Sequence, residues 1–165
     1  ASTYASVWQV VQRGKLQLTL ESLETSADRV QFVEYFEHVP GTANLLRFKV
    51  IKTATTFNVG IYLRALKSHS YIYRLDKLDG CHFVNTPIAN QVFRKFYRNL
   101  VVNNSFFHCP IRTGTYYLRN LLTASLMPSF HPAGHFQLTV NVSSPFSSAS
   151  YIMRMVWTYR ISFLK

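Results

Sequence analysis

The chain has 165 residues, 48% of them hydrophobic and 15% aromatic. That is enough apolar material for one core, so a single domain over residues 1–165 is expected and global disorder is excluded. A formal net charge of +11 favours anionic partners, whether nucleic acid, acidic lipid headgroups or an acidic protein.

No apolar run approaches the ~20 residues of a membrane-spanning helix. The chain opens Ala1-Ser2-Thr3-Tyr4, with no visible signal segment, as a processed or trimmed chain would. The charge is uneven: residues 1–40 hold five of the seven acids, and the remainder holds fifteen bases against Asp76 and Asp79.

In chain order, extended segments are expected near 15–23, 29–38, 44–53, 56–66 and 70–77. A turn at Val39-Pro40-Gly41-Thr42 separates the second from the third, and Leu75 to Gly80 closes the fifth. Residues 56–66 show the strand period plainly: Phe57, Val59, Ile61 and Leu63 alternate with Asn58, Gly60, Tyr62 and Arg64. Glu34 falls on the face of Phe32 and Phe36, where burial would perturb it and a sheet edge would not.

The period changes between Pro87 and Leu100. There Ile88, Val92, Phe93, Phe96, Tyr97 and Leu100 recur at three and four, with Arg94, Lys95 and Arg98 opposite. Thr86-Pro87 supplies a cap and a first-turn proline. One short amphipathic helix is expected.

Strands resume near 114–120, 135–143 and 151–163. Ser125 to Gly134 reads as an irregular crossing loop, with His131 and His135 as surface histidines. Ser143 to Ser150 reads as a hairpin end. In the last strand Tyr151, Met153, Met155, Trp157, Tyr159, Ile161 and Phe163 share one face, and Arg154 and Arg160 lie on the other with Ile152, Val156, Thr158 and Ser162. Successive strand side chains point to opposite faces, so such strands must bury their apolar faces together. The fold class is therefore mainly β: an immunoglobulin-like β-sandwich or β-cup of about eight antiparallel strands with one short α-helix.

Cys81 and Cys109 are an even pair. In an extracellular chain they read as one disulfide, the alternative being two separate buried thiols. Cys81-His82 and His108-Cys109 resemble a zinc set superficially, but adjacent residues of extended chain point apart, so no metal is expected. Asn103-Asn104-Ser105 and Asn141-Val142-Ser143 are glycosylation sequons, at Asn103 and Asn141, and lean toward secretion.

No Gly-x-Ser-x-Gly elbow, His-Glu-x-x-His or phosphate loop occurs, and no nucleophile, base and orienting group converge. The chain reads as non-enzymatic and needing no cofactor. A basic stripe of Arg94, Lys95, Arg98, Arg112 and Arg119 with interleaved aromatics would suit a single-strand nucleic-acid binder. No known module signature accompanies it, so nucleic acid is not the expected partner.

The remaining pattern is a cup. Aromatic, aliphatic and methionine side chains on strand and helix faces could line an apolar cavity: Phe48, Phe57, Val59, Ile61, Tyr71, Tyr73, Phe93, Phe96, Phe136, Leu138, Met153, Met155 and Trp157. Such a cup would enclose several hundred Å3. The alternatives are an extracellular protein-interaction module with a filled core and, behind it, a basic nucleic-acid-binding protein.

One further set of residues carries a resemblance. Tyr73-Arg74-Leu75-Asp76 leads to Gly80-Cys81-His82-Phe83 and Asn85-Thr86-Pro87-Ile88-Ala89. Then come Phe93, Phe96 and Tyr97, Asn103-Asn104-Ser105, His108-Cys109-Pro110 and Tyr117-Leu118-Arg119-Asn120. Pro128 and Ala133-Gly134-His135-Phe136 follow.

From Tyr71 to Val142 the chain resembles the insect-specific secreted domains that include the CheB chemosensory proteins, themselves similar to the ganglioside activator and the ML (MD-2-related lipid-recognition) superfamily. The resemblance implies a β-cup holding an apolar ligand, secreted and non-enzymatic, with chemosensation or pheromone response the role of part of the family. The ligand expected for this chain is a lipid, fatty acid or hydrocarbon. A membrane receptor or an anionic lipid surface would be its partner. Relatives generally carry more cysteines, one of them in the first strand, whereas Lys15 to Glu24 has none.

Overall fold

The computed structural model describes residues 16–85, 94–103, 105–120, 122–127 and 131–163. The described strands are β1 (Leu16–Ala27), β2 (Val33–His38), β3 (Leu45–Val50), β4 (Asn58–Ala65), β5 (Tyr71–Asp79), β6 (Gly114–Arg119), β7 (Gly134–Ser143) and β8 (Met153–Phe163). The helices are α1 (Gly80–Asn85) and α2 (Arg94–Leu100). All strand pairs are antiparallel, in a five-stranded sheet ordered β1-β8-β7-β4-β5 and a three-stranded sheet ordered β2-β3-β6. The expected mainly β sandwich of eight antiparallel strands is what the chain forms.

Period-two alternation decides which face is buried. In β8, Met153, Met155, Trp157, Tyr159 and Ile161 are buried, with half-buried or exposed residues between them. Phe136, Leu138 and Val140 of β7 and Val59, Ile61 and Leu63 of β4 continue this face. It packs on Phe36, Leu46, Phe48, Val50 and Leu118 of the smaller sheet, a single apolar cluster between the two.

Asp28 turns the chain from one sheet into the other. Its carboxylate accepts from the backbone N–H of Phe32 (3.2 Å) and of Val33 (3.1 Å), beside Arg29 at φ +72°. A short polar side chain that bonds the backbone ahead of it stabilises such a turn. Thr25 Oγ1 donates to Phe36 O at 2.7 Å, tying β1 to β2 along that side of the sandwich.

The segment that follows β5 returns the chain to the smaller sheet along the opposite side. Its described residues carry two short helices where one was expected. α1 starts where Asp79 Oδ1 accepts from His82 N–H at 3.1 Å, an N-cap bond. One turn is too short to show helical periodicity, and Asp79-Gly80 reads equally as a turn. The expected helix survives as α2 over Arg94–Leu100; Thr86 to Phe93 lie outside the described residues. The Cys81–Cys109 disulfide fastens α1 to the loop before β6, and isolated bridges pair Ala54 with Ile111 and Val101 with Leu118.

One bulge decides between the two readings of Glu34, and another corrects the placing of Tyr71. Register shifts between Val33 and Tyr35, so Phe32 and Val33 both turn inward and Glu34 faces solvent, paired with Lys49 at 2.9 Å. A second shift opposite Leu63 and Arg64 turns Tyr71 to the outer face, 50% exposed, while Tyr73 stays inward opposite Leu63. An extra residue on one strand reverses every face beyond it.

Candidate functional site

The two ends of the core differ. At one end the space between the sheets is filled by large rings. Trp157 packs edge-on to Phe96 with centroids 5.3 Å apart, and its Nε1 donates to Asn120 Oδ1 at 3.0 Å. Tyr159, fully buried, lies against Phe136 and His131.

His131 is buried in this wall instead of lying on the surface. Its Nδ1 is 2.8 Å from Pro132 O, which can only accept, so Nδ1 carries the proton. Nε2 then accepts from the Tyr159 hydroxyl at 2.6 Å. Burial holds the His131 imidazole below its ordinary pKa and the Tyr159 phenol far above its own. His135, three residues after Pro132, does reach the surface, where it and Arg160 bond Glu21, each at 2.8 Å. The hydrogen bond from His135, then that from Arg160, hold the Glu21 carboxyl below its usual range.

At the other end the same face runs into smaller or flexible side chains and the sheets leave a cavity of about 140 Å3 with a wholly apolar wall. Val59, Val140, Val142, Met153 and Met155 form the five-stranded side. Phe48, Val50 and Leu118 form the three-stranded side. Phe32 and Val33 come from the turn before β2 and its first residue, and Ala54 and Phe57 from the β3–β4 link. The crossing segment adds Phe83 and Val84 from α1, Tyr97 and Leu100 from α2, and Phe107 and Ile111.

This site gathers only part of the expected set. Phe48, Phe57, Val59, Met153 and Met155 line the cavity. Ile61, Leu138, Phe136, Trp157 and Phe96 are buried in the solid part of the core. Tyr73 is half-buried at its margin, Tyr71 is on the outer face, and Phe93 lies outside the described residues. The cavity is also smaller than several hundred Å3, because the rings of Phe32, Phe48, Phe83, Tyr97 and Phe107 project into the inter-sheet space. The liners that sequence reasoning missed include six from the crossing segment, whose loop residues have no period to reveal which way they face; most of the others lie on strands or strand ends, Val33, Val50, Leu118, Val140 and Val142 among them. Phe83 and Tyr97 are tilted together with centroids 5.1 Å apart; Tyr97 carried the helical period as a signal, whereas Phe83 had only hydrophobicity.

Cys81 and Cys109 are bonded to each other and so are not metal ligands. Asn103 is exposed, at φ +53°. Asn141 is half-buried mid-strand, and its Oδ1 accepts from Arg154 Nε at 2.7 Å. Arg119 leaves the expected basic stripe, its Nη2 turned to donate to Val101 O at 3.2 Å.

Among the described residues, no helix is long and apolar enough to cross a membrane. No curated protein matches the chain. Residues 57–138, from the last residue before β4 into β7 and including the disulfide and both helices, match the sequence model of a family described as "Protein of unknown function (DUF1091)".

Proposed function

We propose that this protein is a secreted, non-enzymatic binder of a hydrophobic small molecule, held between the sheets beside Met153 and Met155. The observation that carries the reading is the apolar cavity of about 140 Å3. A void of roughly this size, lined by aliphatic and aromatic side chains, stays dry and accepts a ring the size of benzene. Thioethers repack readily, so a longer chain is accommodated by moving Met153 and Met155. The disulfide fits an oxidising compartment. The wholly apolar wall suits a lipid, fatty acid or hydrocarbon, and the resemblance to the CheB and ML-type domains supports a setting in insect chemosensation or pheromone response.

An anionic lipid surface is the partner proposed for loading. The β1–β2 and β7–β8 loops meet at the cavity end, where Ser147 Oγ donates to Gln31 Oε1 at 2.6 Å. Next to that bond Val30 (81% exposed) and Phe146 (65%) project into solvent, with Lys52 over the Phe32 ring of the cavity wall.

Native mass spectrometry of the protein, before and after organic extraction, tests the reading, alongside displacement of a fluorescent fatty acid. The expected result is a bound apolar mass lost on extraction and saturable binding that Val140→Phe abolishes by filling the cavity. No bound mass, together with no saturable binding by the wild type, would overturn it.

A further inference from the structure

The outer face of the five-stranded sheet carries a second concavity, chemically opposite to the first. It measures about 440 Å3 and is lined by Arg64, Arg74, Arg154 and Tyr71, by Gln137, Thr139 and Asn141, and by Glu24, Tyr62 and Val156. That volume is within the range of small-molecule sites.

Register explains its shape. Glu24, Val156, Thr139, Tyr62 and Arg74 are successive partners across all five strands, a row about 19 Å long at ~4.8 Å per strand. Short side chains, Val156 and Thr139, form the middle of the row. Tyr62 folds back along its own strand: a Cβ on Gly60 would lie 2.9 Å from its ring. The groove is therefore a shallow trough with long side chains at its rims.

Its charge is held in an unusual way. Arg64 is the direct partner of Gln137 and donates from Nη2 to Gln137 Oε1 at 3.0 Å. Arg154 is the direct partner of Asn141, donates from Nε to Asn141 Oδ1 at 2.7 Å, and sits 4.2 Å over the Tyr151 ring. Both acceptors are neutral amides, so they orient the guanidinium without cancelling its charge. Among the described residues neither arginine forms an ion pair. Only Arg74 does, with Asp76 at 3.1 Å, and Glu24 is the one carboxylate that lines the groove. A guanidinium has five N–H donors in a planar fork, so most of the donors of Arg64 and Arg154 remain for a ligand.

We propose that this groove binds an acidic glycan, a linear sugar bearing carboxylate or sulfate groups. Oriented, uncancelled guanidinium forks match planar or tetrahedral oxyanions bidentately. Gln137, Asn141 and Thr139 supply amide and hydroxyl groups for sugar hydroxyls, and the Tyr62 and Tyr71 rings, with the Arg74 guanidinium 5.9 and 5.5 Å from their centroids, supply the remaining apolar surface for sugar C–H groups. A trough running across the whole sheet suits an extended polymer better than a compact anion. The disulfide fits an oxidising compartment, and on the secreted reading of the proposed function the abundant polyanions there are glycans and not nucleic acid. The site is independent of the cavity between the sheets and stands whether or not that cavity holds a ligand.

The test uses the full chain made without N-glycans, because a glycan on Asn141 would fill the groove. Binding is measured by calorimetry to a sulfated heparin oligosaccharide, a carboxylated polygalacturonate oligosaccharide and a single-stranded DNA of equal charge. The expected result is that one sugar binds more tightly than the DNA, and that Arg64→Gln with Arg154→Gln weakens it by about tenfold or more. Arg98→Gln with Arg112→Gln removes the same charge elsewhere and is expected to change binding less than about threefold, by screening alone. The two sugars decide between sulfate and carboxylate.

Should the groove variant fold poorly, amide shifts of the wild type on titration replace it, and they must centre on Tyr62, Gln137, Thr139 and Asn141. Equal losses in both double variants, shifts scattered over the surface, no sugar binding, or DNA bound as tightly as the tighter of the two sugars would each overturn the proposal.

Discussion

His131 shows how one side chain couples the core to pH. Its imidazole is neutral in the fold, donating to Pro132 O and accepting from Tyr159, and burial lowers its pKa from the ordinary 6.5. Between that depressed value and 6.5 the unfolded chain takes up a proton that the folded chain refuses. The stabilisation is therefore complete above about 6.5 and is lost as pH falls through the folded value. We expect the melting temperature to fall between about pH 7.5 and 5, with a shallower fall in His131→Asn; an identical slope in both proteins would contradict this role.

Gly80 is a second such position. A Cβ there would lie 2.2 Å from the Phe57 ring, and Phe57 lines the cavity. Gly80→Ala is expected to push that ring into the void, lowering stability by about 1–3 kcal/mol and reducing ligand uptake, as read by denaturant unfolding and fatty-acid displacement. Neither position was legible in the sequence. His131 beside Pro132 and Gly134 has the look of a loop residue, and its burial depends on Tyr159, twenty-eight positions away.

At the scale of elements, alternation located the strands because each has one face on the core. β4, β7 and β8 fall within one or two residues of their expected bounds. What alternation cannot reveal is a bulge, which inserts a residue without changing composition. The bulge in β5 therefore moved Tyr71 to the face opposite that expected, and the bulge in β2 decided for Glu34 in favour of solvent.

The crossing segment has no sheet period at all, and it supplies six of the cavity's liners. Its attachment is the disulfide, closing a separation of 28 residues. Cys81→Ser with Cys109→Ser is expected to cost about 3–4 kcal/mol in the chain-entropy account and to weaken apolar-ligand binding, because Phe83, Val84 and Phe107 lose their tether. Chemical denaturation with and without reductant measures it.

The paired loops make a separate prediction. Val30→Ser with Phe146→Ser removes exposed side chains that stabilise nothing in the core, so melting should be unchanged. Transfer of a fluorescent fatty acid from anionic vesicles should slow, and unchanged transfer would remove the loops from loading.

Across the whole molecule the two faces of the larger sheet have divided their chemistry. Inward residues of β4, β7 and β8 make an apolar interior that is solid around Trp157 and Tyr159 and open around Met153 and Met155. Outward residues of the same strands make a basic, amide-rich trough. The trough carries Arg64, Arg74 and Arg154 against Glu24, with Asp76 on Arg74, while Glu21 is held by His135 and Arg160, Glu34 by Lys49 and Glu37 by Arg47 away from it. The sandwich itself was readable from periodicity; the division into solid and open halves was not, since Trp157 and Met155 are two residues apart on one face and equally apolar. Their difference is one of shape and flexibility.

The central claim is that the sheets leave apolar room beside Met153 and Met155. Diffraction from crystals under xenon pressure measures that room directly, because xenon enters dry apolar voids of about this volume. The account predicts xenon between Met155, Val140 and Phe48 in the wild type and its loss in Val140→Phe. A wild-type interior that takes up no xenon, with those side chains in mutual contact, would contradict it.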